Sequence, residues 1–149
     1  MWNKEKSLAL ASDHAGFPLK NFLADKLKES GYKYHDFGTY TTDSVDYPDF
    51  AHKLGSAVNK GEFERGIAVC GSGNGVNMVV NKYPNVRGAL CWNSEQASLT
   101  RQHNNANVLS LPGRFIEFDE AWKAVELFLN TEFEGGRHQR RVDKISQCL

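Results

Sequence analysis

The chain has no excess of charge of either sign. Its 18 basic and 18 acidic residues cancel across 149 positions, which argues against nonspecific binding to nucleic acid or a membrane surface. No apolar run approaches the roughly 18 residues of a membrane-spanning helix. Met1–Lys6 leads into a short apolar run, so no secretion signal is expected. Cysteine is scarce: Cys70, Cys91 and Cys148 are odd in number and lack C-x-x-C or zinc-site spacing. The expectation is a cytoplasmic chain with free thiols, forming one domain over residues 1–149 and needing no metal or cofactor.

Two nucleotide signatures are missing as well. A dinucleotide fingerprint would read G-x-G-x-x-G on the first strand, with an acidic residue about 20 positions later for the ribose. This chain has Gly71-Ser72-Gly73-Asn74-Gly75 on its third strand, and the next strand ends in Cys91-Trp92-Asn93. No Gly-Lys-Ser/Thr follows, which removes a Walker loop. A nucleotide-binding module of the flavodoxin-like kind is thereby disfavoured.

What is present centres on residues 66–82. Ile67-Ala68-Val69 is a buried-strand run that stops at Cys70. Gly71, Gly73 and Gly75 permit φ > 0 and let a ligand approach the backbone. Val76–Val80 reads as a helix start, so unpaired amides should converge on a small anion or oxyanion. A cysteine there would be biased towards thiolate. The competing reading of Cys70 is a small core residue before an ordinary turn.

Strand and helix patterns alternate along the whole chain. Strands are expected at 7–12, 32–37, 67–70, 86–90 and 108–111, and helices at 17–30, 48–60, from 76, 94–104, 118–130 and 137–147. Pro48 stands at a favoured first-turn position, Gly31 at a C-cap, and Asn93–Gln96 forms a capping box. Such alternation predicts an α/β fold: a three-layer α/β/α Rossmann-like sandwich on a five-stranded parallel sheet. Ligands in these sheets bind at the carboxyl ends of the strands.

Several polar groups fall at those ends. Asp13-His14 could exchange protons with a sugar hydroxyl or ring oxygen, or Asp13 could simply cap the next helix. Arg137 and Arg141, four apart, could grip one phosphate or form a solvated basic face. Arg114 closes the fifth strand and favours the phosphate. His103-Asn104 ends a helix, where the dipole favours imidazolium, or else serves as a surface cap. His35 and His52 attract no role, and Trp2, Trp92 and Trp122 are expected to pack.

These residues also carry a resemblance. Ser-Asp-His-Ala-Gly at 12–16, Asp-Tyr-Pro at 46–48, Cys-Gly-Ser-Gly-Asn-Gly at 70–75 and Asn-Lys at 81–82 resemble the sugar-phosphate isomerase family of ribose-5-phosphate isomerase B. Arg-Gln-His-Asn-Asn-Ala-Asn-Val at 101–108 and Glu-Gly-Gly-Arg-His-Gln-Arg-Arg-Val at 134–142 extend it over nearly the whole chain. The wider family includes galactose-6-phosphate and allose-6-phosphate isomerases. The resemblance implies interconversion of ribose 5-phosphate and ribulose 5-phosphate, a step of the pentose phosphate pathway, through an enediolate and without a cofactor. It implies Cys70 as the base, Ser72 and the amides of 71–75 on the enediolate oxygens, and His103 with Asp13 for ring opening. His14, Arg137 and Arg141 would take the phosphate, and Tyr47, Asn104 and Arg114 would also contact substrate. It further implies a homodimer or dimer of dimers with shared sites, His103, Asn104 and Arg114 reaching in from the partner. Some members use a glutamate just after the glycine loop as base. Here that position is Val76, which leaves the role to Cys70, and Ser72 keeps the hydroxyl of a commoner threonine.

Overall fold

In the computed structural model, residues 1–147 are described; Cys148 falls outside them. The elements run β1 (Ser7–Ser12), α1 (Phe17–Glu29), β2 (Lys33–Asp36), α2 (Tyr47–Asn59), β3 (Gly66–Cys70), α3 (Asn74–Val80), β4 (Gly88–Leu90), α4 (Ser94–Asn104), β5 (Val108–Pro112), α5 (Phe118–Asn130) and α6 (Arg137–Asp143). All strand pairs are parallel, in the order β2-β1-β3-β5-β4. The order turns back between β1 and β3, and a crevice opens at such a reversal, beyond the carboxyl ends of the strands. Ser12 pairs with Val69 there, so Asp13 and Cys70 emerge side by side.

Alternating side chains divide the core between the two faces of the sheet. Leu8, Leu10, Ile67, Val69, Leu109 and Leu111 pack on α1, α4 and α5, whose buried residues include Leu23, Ala97 and Phe128. Ala9, Ala11, Ala68, Cys70 and Val108 pack on α2 and α3 through Ala51, Leu54, Val76 and Val80. The three expected layers are therefore present, with the alanines of β1 and β3 on the α2/α3 face.

Element ends differ from expectation where side chains or turns intervene. The capping box of α4 forms, with Asn93 Oδ1 accepting from Gln96 N–H at 2.9 Å. The Gln96 side chain returns to Trp92 N–H, at 2.6 Å, rather than to Asn93. Helix α6 stops at Asp143 instead of 147, because Ile145 N–H and Gln147 N–H turn back to Val142 and Lys144 in three-residue steps. Trp92 is 47% exposed and pairs with Phe115, so it is not the packing residue expected.

One charged residue is wholly buried. Lys20 Nζ donates to both Asp36 oxygens, at 2.7 and 2.8 Å, and to the Thr39 carbonyl. Burial lowers the Lys20 pKa, and Asp36 opposes that shift. The pair ties α1 to the end of β2 and to the loop leading to Tyr47. Removing the carboxylate strands the ammonium, so Asp36→Ala should cost about 2 kcal/mol. Lys20→Met should cost less, since the half-buried Asp36 can recover water. Urea denaturation of both variants checks this ordering, and the reverse order would refute it.

Candidate active site

The site begins where β3 leaves the core. Cys70 is 4% exposed, and its carbonyl accepts from Gly113 N–H at 2.8 Å. Arg114 N–H then donates to the Gly71 carbonyl at 3.0 Å, continuing the ladder beyond the strands. This holds the turn after β5 against the glycine loop. Arg114 lies close enough that a Cβ on Gly71 would sit 3.4 Å from its Cδ and Nη1.

The three glycines do different work from the shared freedom expected of them. Only Gly73 has positive φ, +75°, and a Cβ there would strike Leu90 Cδ1 at 2.5 Å. A Cβ on Gly75 would meet the Tyr47 ring at 2.7 Å, so the glycine lets that ring close against the loop. Gly71 has room for an ordinary contact. Helix α3 starts at Asn74, two residues early, and its first-turn amides precede the bond from Asn77 N–H to the Gly73 carbonyl, 3.2 Å. Ser72 Oγ accepts from Asn74 N–H at 3.3 Å, leaving the hydroxyl proton free for a ligand.

The neighbouring loops complete a hollow of about 320 Å³ lined by Asp13, His14, Tyr47, Cys70, Ser72 and Arg114, with Gly71, Gly75, Ala15 and Phe115. Asp13 is 7% exposed. One of its oxygens accepts from Gly16 N–H at 2.8 Å, which closes the turn before α1 without capping a first-turn amide of the helix, and the other oxygen remains. His14 Nδ1 accepts from Val45 N–H at 3.2 Å, which leaves Nε2 to face a ligand. Gly73 and Asn74 belong to the loop but do not line the hollow.

A second hollow of about 250 Å³ is lined by His103, Asn104, His138, Arg141, Val142 and Ile145. It lies at the end of α4 under α6. The expected residues are thus split within one chain: Asp13, His14, Tyr47, Cys70, Ser72 and Arg114 gather in the first hollow, and His103, Asn104 and Arg141 in the second. Arg137 is exposed at the start of α6 and lines neither. Arg114, expected to reach in from a partner, lines the Cys70 hollow of its own chain.

Two motif residues have structural tasks. The Asn81 side chain takes both the N–H and the carbonyl of Gly88, at 2.9 and 2.9 Å, clamping β4 to the end of α3. Arg101 is 5% exposed and binds the Asn105 side chain and the Ala106 carbonyl. Its pKa falls to about 10, first through burial and then through Arg65. Burial lifts the Cys91 thiol to about 12, so Cys91 stays protonated. Phe115, Glu134 and His138 line or adjoin the hollows without an expected role. Glu134 and His138 both lie within residues 134–142, and their spacing of four is the signal available in the sequence.

A parallel sheet with a cysteine and a glycine loop at its switch point, and basic side chains close by, defines a Rossmann-like α/β protein. Residues 8–145 match the profile of the ribose/galactose isomerase family, and the chain belongs to that family. It is 38% identical over 141 residues to ribose-5-phosphate isomerase B of Escherichia coli K12, covering 95% of each chain. The structure of Clostridium thermocellum ribose-5-phosphate isomerase B matches with a TM-score of 0.92 at 47% identity, covering 94% of this chain and 95% of that one. That of the Mycoplasma genitalium enzyme with bound ribulose 5-phosphate matches with a TM-score of 0.91 at 43% identity, covering 97% and 96%. No helix among the described residues is long and apolar enough to cross a membrane.

Proposed function

We propose that this chain interconverts ribose 5-phosphate and ribulose 5-phosphate, the full length acting as one isomerase domain. The observation that carries the reading is the placement of Cys70 beside Ser72 and the α3 amides, in a fold whose 43%-identical relative holds ribulose 5-phosphate. Moving a proton between C1 and C2 needs one base, donors for the enediolate oxygens and a phosphate anchor. Cys70 is the base, and the Ser72 hydroxyl with the loop amides of Gly71 and Gly75, which line the hollow, receives the developing charge. His103, aided by Asp13, opens the furanose ring. His14, Arg137 and Arg141 hold the phosphate, while Tyr47, Asn104 and Arg114 contact the sugar. Phosphate binding remote from the reacting carbons supplies orientation. Direct assay of ribulose 5-phosphate formation tests the reading, and absence of turnover in folded protein would end it.

The split of these groups between two hollows supports a homodimer, or a dimer of dimers, in which His103 and Arg141 of one chain complete the Cys70 hollow of the other. Inactive Cys70→Ala and His103→Ala chains should then regain activity when mixed and refolded together. A mixed dimer would hold one site with both native groups. Verified mixed dimers without any activity would place the two residues in one chain's site.

A further inference from the structure

We propose that His103, Glu134 and His138 form a binding site for a divalent transition-metal ion of the zinc type, and that its occupation switches the second hollow off. The His103 and His138 rings stack with centroids 4.5 Å apart and planes 13° from parallel. Glu134 Oε2 lies 3.4 Å from His138 Nε2. One ligand atom from each of the three residues lies within 4.8 Å of the others. The backbone fixes this meeting, because Glu134 N–H donates to the Gln102 carbonyl at 3.1 Å and His138 N–H to the Gly135 carbonyl at 3.0 Å. The strap carrying Glu134 is thereby tied to the end of α4 beside His103.

Two imidazoles and a carboxylate are the donor set of an open zinc site. Zinc–nitrogen bonds of about 2.0–2.1 Å put tetrahedral ligand atoms about 3.3 Å apart. The three groups must therefore close by about 1.5 Å at most, the two imidazole rings turning out of their stack so that their nitrogen lone pairs converge, and the 52%-exposed Glu134 side chain is free to follow. The fourth position would fall to water or to Asn104, which lines the same hollow. Arg141 lines it too and repels a cation, an effect Glu134 offsets. Such a site favours an ion that gains from imidazole nitrogen and disfavours Mg²⁺, which seeks oxygen and keeps its water.

The inhibitory consequence rests on the reading of His103 as the ring-opening group, since a metal-bound imidazole nitrogen cannot exchange a proton. Calorimetric titration of the full chain with Zn²⁺ should give one ion per chain, and Co²⁺ should show the absorption of a nitrogen-ligated ion. Glu134→Gln and His138→Gln should each weaken zinc by about tenfold or more, while Cys70→Ala should bind as the native chain does. Zinc should inhibit turnover of ribose 5-phosphate reversibly by chelator, and Glu134→Gln, still active, should need about tenfold more of it. Absence of saturable zinc binding, affinity unchanged in both variants, or loss of binding in Cys70→Ala would overturn the site. Zinc held by these residues with undiminished turnover would overturn the switch. Zinc held there by a protein inactive on ribose 5-phosphate would keep the site and sink the isomerase reading instead.

Discussion

Cys70→Ala should lose isomerase activity by on the order of 10²–10⁴ in kcat, the range for removing a general base, while keeping its fold. Cys70 is buried on the α2/α3 face among Ala68, Val76 and Val80, so alanine leaves only a small gap. Its backbone contacts to the turn after β5 pass through the carbonyl and survive the change. Phosphate affinity should hold, because none of the proposed anchors rests on the sulfur. Alkylation of the thiol should inactivate the native protein, and substrate should slow that reaction. More than about a tenth of native kcat in Cys70→Ala is too much for a lost base and would return Cys70 to the competing reading, a small core residue. Cys91 offers a built-in control. Its thiol, pushed up to about 12 by burial, should resist the same reagent.

The layout of this fold was legible because each layer has its own period. Runs such as Leu8–Ala11 and Ile67–Val69 are apolar throughout, as strands buried on both faces must be, and helices such as Phe118–Asn130 show one apolar stripe. The glycine loop was legible as a cradle, but the division of labour within it was not. Gly75 is required by the Tyr47 ring and Gly73 by Leu90, partners that arrive from distant segments. The same limit explains Asn81 and Arg101. Both stand in recognisable motifs, yet their bonds go to Gly88 and Ala106 backbone, and a motif does not distinguish a ligand contact from a clamp. Lys20 was illegible for a related reason: its partner Asp36 comes from the neighbouring strand β2. The pairing of His103 with His138 depends on the glycine-bearing strap before α6, which has no periodicity to read.

The separation between the two hollows bears on which sugar phosphate reacts. Ribose 5-phosphate should exceed allose 6-phosphate and galactose 6-phosphate in kcat/KM by on the order of a hundredfold, the cost of misplacing a reacting group by about 1 Å. Cys70 is fixed at the end of β3, and Arg137 and Arg141 are fixed on α6. In the proposed dimer the distance from phosphate to C2 is therefore set by rigid elements facing each other across an interface. A six-carbon substrate lengthens that span by one carbon. It must then buckle, or pull its phosphate out of place, and in either case C2 leaves the reach of Cys70. The loss should fall mainly on kcat, since the phosphate can still bind while the reacting carbons sit badly. Arg137→Ala and Arg141→Ala should weaken every substrate alike through the shared phosphate. The family embraces galactose as well as ribose isomerases, so the comparison is a real choice between two outcomes. A kcat/KM for either hexose phosphate equal to that for ribose 5-phosphate would reverse the substrate assignment, while the proton transfer at Cys70 would still stand.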